Sequence, residues 1–221
     1  MAGPLLQRWH RWYFSRPRRF LYKDISVTVA PGVFPPQLTF STRTLLDFLE
    51  TVPVSGKNFL ELGCGCGVIA CRSAKRGANV TASDINPVAV ETLQESANKN
   101  SVEIEVVLSD LFEKLQQQTF DMIAINPPYY PKNPGKIEDN AWFCGEDFGY
   151  FKKLFAQLPR FLSQNCQAFM VLSDDCGLGS IEKIASENEI AFSPVFQKKN
   201  FSGVETIFSV SLSTHADGVR Y

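Results

Sequence analysis

The tetrapeptide Asn126-Pro127-Pro128-Tyr129 carries residue types whose spacing could do chemistry. Two successive prolines remove two backbone donors and fix the chain, so the carbonyls here are held without a competing helix. The Asn126 side-chain oxygen and the Pro127 carbonyl can together accept both hydrogens of a planar NH₂ group. Such a nitrogen is a poor nucleophile because its lone pair is delocalised. Holding both hydrogens favours a more localised lone pair aimed at an electrophile, and Tyr129 can stack on the planar target. No strong general base is needed beforehand, because the nitrogen becomes acidic only as it gains the new bond. Asn-Pro is also a common turn dipeptide, and composition alone favours a rigid turn. Its place in the chain decides otherwise.

A second candidate lies upstream in Glu61-Leu62-Gly63-Cys64-Gly65-Cys66-Gly67. Alternate glycines let a backbone turn tightly and approach a ligand closely, with helix N–H groups beyond. The spacing departs from the GxGxxG that seats a pyrophosphate, and no lysine follows as a P-loop requires. A plain strand-to-helix turn would read the same way. Two acids add to the signal: Asp84 and Asp110 each close a strand. Asp84 could accept both hydroxyls of a ribose, and Asp110 a hydrogen bond from an adenine amino group. Either could instead cap a turn. Together, beside the glycine loop, they favour an adenosine-containing ligand.

These residues need a scaffold, and alternating element types supply it. Strands are expected at 58–62, 79–83, 104–108, 120–125 and 168–173. Helices are expected at 68–76, 88–100 with Pro87 in the first turn, 149–162 and 181–188. A further helix with Leu45, Leu46 and Leu49 on one face follows Ser41 or Thr42 as cap. Residues 24–40, with Pro31, Gly32, Pro35 and Pro36, read as extended, turning backbone. Strands at 195–199 and 205–213, joined by a short loop, would pair antiparallel. The fold class is a doubly wound α/β sheet, mostly parallel and seven-stranded, with a C-terminal antiparallel strand pair and its ligand at the carboxyl ends of the strands.

On these motifs the chain resembles the class I S-adenosylmethionine-dependent methyltransferases over residues 38–213. The resemblance implies a Rossmann-like sheet, S-adenosylmethionine as cofactor and S-adenosylhomocysteine as product. It places Glu61, Gly63, Gly65 and Gly67 against the methionine moiety, Asp84 with Ile85 and Asn86 at the ribose, and Asp110 at the adenine. The Asn-Pro-Pro-Tyr motif is similar to that of amino-methyltransferases acting on base or glutamine-amide nitrogen, which assigns catalysis to Asn126, Pro127 and Tyr129, with Asn126 also beside the cofactor. The sulfonium supplies the electrophile, and no metal is required. Phe143 to Gly149 looks like the Gly-Gly-x-Asp-Gly segment of the HemK-type group with the small methyltransferase domain, with Cys144 in place of the first Gly and Phe148 added. Val33 to Leu46 is similar to the segment in which an acid-Thr pair closes over the cofactor: Thr42 matches, and Ser41 replaces the acid. The implied acceptor is protein glutamine or a base in RNA or DNA. A non-catalytic cofactor-fold protein would lack the motif, and a nicotinamide oxidoreductase would favour the other glycine spacing.

Composition sets the remaining bounds. The 221 residues are 44% hydrophobic and 20% charged with a formal charge of -1, which argues against a basic nucleic-acid binder and against an acidic, disordered chain. Residues 1–23 hold six basic side chains (Arg8, Arg11, Arg16, Arg18, Arg19 and Lys23) and no acid. Interleaved with Trp9, Trp12, Tyr13, Phe14, Phe20 and Tyr22, they suit phosphates and stacked bases, or else aromatics packed on the domain with the arginines solvated. The expected organisation is a basic aromatic arm and lead-in over 1–37, a catalytic domain over 38–213 and a tail over 214–221. No signal peptide or membrane span is expected, and Cys64, Cys66, Cys71, Cys144, Cys166 and Cys176 read as reduced thiols of a cytoplasmic protein. The cysteine spacing fits no zinc site, and His10 and His215 lie near the ends.

Overall fold

Short runs of β-branched and other apolar residues, each bounded by glycine or a turn, build a central sheet in the computed structural model, which describes residues 15–115, 118–201 and 203–213. The strands are β1 (Arg18–Tyr22), β2 (Ile25–Val29), β3 (Asn58–Leu62), β4 (Asn79–Asp84), β5 (Ile104–Leu108), β6 (Met122–Ile125), β7 (Gln167–Ser173), β8 (Ile190–Asn200) and β9 (Gly203–Leu212). The α-helices are α1 (Ser41–Leu49), α2 (Val68–Lys75), α3 (Pro87–Asn100), α4 (Gly149–Gln157) and α5 (Leu178–Glu187), with 3₁₀ turns at Ile137–Ala141 and Leu158–Phe161. The seven-stranded sheet has the order β5-β4-β3-β6-β7-β9-β8. Strands β3 to β7 run parallel, and β9 lies antiparallel between β7 and β8. The order reverses between β3 and β6, so a crevice opens at their carboxyl ends.

Each face of the sheet carries its own core. Phe59, Met122, Ala124, Phe169 and Val171 pack under α1, α2 and α3, while Leu60, Ile123, Ile125, Met170 and Leu172 pack under α4 and α5. The period of two along each strand sends neighbouring residues to opposite faces. By this alternation Glu61 and Asn126 project to the same face as Phe59 and Ala124. Asn86 starts α3 by accepting the Val88 N–H at 3.0 Å, with Pro87 at the first helical position.

Some bounds shift: the helix expected over 149–162 ends at Gln157, where Pro159 in the next turn turns it into a 3₁₀ segment, and the strand expected at 195–199 begins at Ile190. Two larger expectations change. Residues 18–29 form an antiparallel hairpin, β1 with β2, instead of an extended lead-in. Phe20, Tyr22, Ile25, Val27 and Val29 are buried in the core beneath α2 and α3, each contributing roughly 1.5–3 kcal/mol of apolar burial. Asn100 locks the hairpin to α3 by bonding both the N–H and the carbonyl of Ser26, at 3.0 and 2.9 Å. The body therefore begins well before residue 38. The aromatics of β1 that fall in the described part, Phe20 and Tyr22, pack inward, while Arg19 stays exposed. Arg8, Arg11 and their aromatic neighbours to Phe14 lie outside the described residues, as does the 214–221 tail. The second change is at α1: its N-cap is Phe40, whose side chain has no oxygen to accept an N–H, and Thr42, inside the first turn, uses its hydroxyl to accept from Asn126.

Candidate active site

A cavity of about 130 Å³ opens at the sheet's switch point. Glu61, Gly63 and Gly65 line it from the β3–α2 turn, Asp84, Ile85 and Asn86 from the end of β4, and Asp110 from the end of β5. Thr42 and Asn126 line it from α1 and the end of β6. Of the residues expected against the cofactor, only Gly67 stands apart. At φ +71° it caps α2, and a Cβ there would overlap the Leu93 side chain, so its lack of a side chain serves helix packing.

The acids do more than face the cavity. Asp84 accepts the Gly65 N–H on Oδ2 and the Asn86 N–H on Oδ1, both at 2.8 Å, so it shapes the glycine loop as well as the cavity wall. Burial raises its pKa above the ordinary carboxylate value despite those N–H groups. Glu61 Oε2 accepts the Ala70 N–H at 2.7 Å, inside the first turn of α2. Burial pushes the Glu61 pKa well up, against the Ala70 N–H, and the Asp84 charge adds to the rise. Asp110 is paired to Lys153 Nζ at 2.5 Å, and the same ammonium reaches Glu113 at 2.7 Å. Asn86 spends its side chain on structure, its oxygen on Val88 and its amide on the Gly32 carbonyl at 3.0 Å.

Among the described residues, three carboxyl groups and no lysine or arginine line the cavity wall. A helix N-terminus and its N–H groups would ordinarily favour an anion, but Glu61 already takes the Ala70 N–H of α2. The three carboxyl groups on the wall would repel a pyrophosphate, whereas they favour a sulfonium or an ammonium. The buried Ser83 hydroxyl, on the same wall and without a partner among the described residues, is a further polar group left for a ligand. The donor set fits S-adenosylmethionine and disfavours a nicotinamide dinucleotide.

A second, smaller cavity of about 20 Å³ adjoins the first. Pro127 and Tyr129 line it with Tyr130, Trp142 and Phe34, and Asn126 lines both cavities. Asn126 Nδ2 donates to Thr42 Oγ1 at 3.0 Å. That bond fixes which end of the amide faces α1 and leaves Oδ1 for another partner.

A family model described as the methyltransferase small domain matches residues 24–187. The chain belongs to the methyltransferase small domain family. It is 34% identical over 148 residues to a protein of Methanocaldococcus jannaschii named as a protein N5-glutamine methyltransferase, covering 64% of this chain and 73% of that one. It is also 34% identical over 163 residues to the ribosomal RNA small subunit methyltransferase C of Haemophilus influenzae strain Rd, covering 68% of this chain and 48% of the relative. The chain thus spans only about half of that relative's length. Among solved structures, the T. thermophilus 16S rRNA N2 G1207 methyltransferase, with AdoMet and guanosine bound, superposes with a TM-score of 0.65 at 20% identity, over 89% of this chain and 50% of that one. This small-domain protein is an S-adenosylmethionine-dependent methyltransferase with the class I fold.

Sequence reasoning missed several residues of the site. Tyr150 lines the larger cavity from the start of α4, and burial together with the charges of Asp84 and Asp110 raises its phenol pKa. Phe34 touches both cavities, and its ring meets Trp142 at 4.8 Å. Long-range folding brings these rings in, and no local pattern marks them.

Proposed function

We propose that this small-domain methyltransferase transfers the methyl group of S-adenosylmethionine to a planar NH₂ nitrogen, on a glutamine side chain or on a base of a nucleic acid. One observation carries the reading: Asn126 stands where the two cavities meet, with its amide nitrogen tied to Thr42 and its oxygen left over. When bound, S-adenosylmethionine supplies an electrophilic methyl on a positively charged sulfur. Glu61 and Asp84 offset that charge from the cavity wall, and the glycine turn gives the ligand room, since a Cβ at Gly63 would meet nothing within 4 Å. Asp84 and Asp110 face the ribose and adenine ends, Asp110 with Lys153 alongside. Asn126 Oδ1 and the Pro127 carbonyl accept the two N–H groups of the acceptor, and Tyr129 and its neighbours hold the acceptor plane. The proton lost from the nitrogen leaves after transfer, to solvent.

The relatives' names support a macromolecular acceptor, one on protein glutamine and the other on ribosomal RNA. Six free cysteines, five of them buried, fit a cytoplasmic place of work. Incubating the full chain with methyl-labelled cofactor and cell extract tests the reading. Label should enter a macromolecule with the wild type and fail to enter with Asn126→Ala, while cofactor affinity by calorimetry changes little. Transfer retained by Asn126→Ala would refute the role given to Asn126.

A further inference from the structure

Segment 34–43 separates the site from a third feature. Thr42 faces the cofactor cavity and Asn126, but Phe40 and Arg43, on either side of it in the chain, turn to a separate groove of about 570 Å³. Leu21 of β1, Leu38 and Phe201 at the β8–β9 tip complete its apolar part, and Arg19 stands beside them. Phe201 is 93% exposed, and its ring meets that of Phe40 edge-on at 4.8 Å. Leu21 and Leu38 are also exposed. Large apolar side chains grouped in the open mark a binding surface more often than chance does.

The charge of the groove selects the partner. Arg19 and Arg43 line it, and among the described residues no carboxylate does. Arg43 is exposed and makes no hydrogen bond or ion pair among the described residues, and Arg19 uses only its Nε, on Ser26 Oγ at 2.7 Å. Asp174 and Asp175, which follow β7, do not line the groove, and Asp174 Oδ2 accepts the Val204 N–H at 3.1 Å. The exposed Phe201 ring, the half-buried Phe40 ring against it and two guanidinium groups with no acidic partner among the described residues match a strand with stacked bases and phosphates.

We propose that this groove holds single-stranded nucleic acid next to the acceptor base, with Phe201 and Phe40 as stacking faces and Arg43 and Arg19 as phosphate contacts. The proposal rests on the transfer reading above and chooses the base over the glutamine as acceptor. Phe40 and Arg43 flank Thr42 in the chain, so one segment carries part of the strand's grip and part of the cofactor cavity's wall.

The test is fluorescence anisotropy of the full chain with a labelled single-stranded oligoribonucleotide at several salt concentrations. Phe201→Ala should weaken binding by about 5- to 150-fold, the effect of removing one stacked base. Arg43→Ala should reduce the slope of log affinity against log salt by about 0.7, the share of one phosphate contact to a single strand. Lys183→Ala, an exposed cation on α5, should change neither. Wild-type affinity and slope in both groove variants would overturn the proposal, as would a wild-type dimer that Phe201→Ala converts to monomer. The labelled-extract experiment separates the two levels: protease-sensitive label lost with Asn126→Ala upholds the transfer reading and refutes this groove, whereas nuclease-sensitive label that falls with Phe201→Ala upholds both.

Discussion

Asn126 and Thr42, eighty-four residues apart in the chain, are joined by a 3.0 Å hydrogen bond from Nδ2 to Oγ1. The bond sets the orientation of an amide whose other atom is the proposed acceptor for the substrate's N–H. Thr42→Val keeps the shape and removes the acceptor oxygen, so the Asn126 amide is free to turn. Losing such a bond costs about 0.5–1.5 kcal/mol. The expected result is a fall in kcat of roughly tenfold, with cofactor affinity within a few-fold and recovery in Thr42→Ser. A Thr42→Val enzyme with unchanged kcat would show that Asn126 is oriented by something else.

Gly67 gives a prediction of the opposite kind, on stability in place of turnover. Its φ of +71° is unfavourable for any residue with a Cβ, and that Cβ would overlap the Leu93 side chain of α3. Strain and overpacking together cost roughly 2–4 kcal/mol, so Gly67→Ala should lower the melting temperature by about 5–15 °C. Gly63→Ala has the same sign of φ but open space around it, and should lose less. Equal melting temperatures for the two variants would contradict the packing role of Gly67.

The motifs and their carriers were readable because each is local: a glycine turn after an apolar run, an acid at a strand end, two prolines after an asparagine. The strand-helix alternation over 58–187 was readable for the same reason. The β1–β2 hairpin was not, although Phe20, Tyr22, Ile25, Val27 and Val29 follow the period of a strand. Arg18, Arg19 and Lys23 interleave with them and drew attention to charge, and no glycine or proline marks the tight turn between Tyr22 and Ile25. Phe34 and Tyr150 were hidden for a different reason. Their place beside the cavities depends on how the segment before α1 and the start of α4 fold onto the sheet.

Glu205 supplies a test by pH. It is buried at the start of β9, its Oε2 has no partner among the described residues, and burial, then Asp175 and Asp174, raise its pKa to about 7. The folded chain therefore holds a proton that the unfolded chain releases near the ordinary carboxylate value. Between about pH 4.5 and 7 the folded state binds more protons, so stability falls as pH rises through that window, by at most about 3 kcal/mol. Denaturant titrations of wild type and Glu205→Gln at pH 5 and pH 7.5 read the difference directly. The variant should lose less stability than the wild type on going to pH 7.5, and parallel losses would remove Glu205 as the cause.

The cavity's carboxylates link protons to the cofactor. Burial raises the pKa values of both Glu61 and Asp84, and among the described residues no basic side chain lines the wall to oppose that. A ligand carrying positive charge favours their ionised forms, so a carboxyl that is protonated in the free enzyme gives up its proton on binding. The bound state then holds fewer protons than the free state, and affinity for S-adenosylmethionine rises with pH from 5 toward 7. Calorimetry in two buffers of different ionisation enthalpy at pH 6 should give different apparent enthalpies, the difference reporting protons released. S-adenosylhomocysteine, which lacks the sulfonium charge, should release fewer protons under the same conditions. Identical enthalpies in both buffers for both ligands, with affinity flat from pH 5 to 7, would mean that the two carboxyls do not sense the ligand's charge.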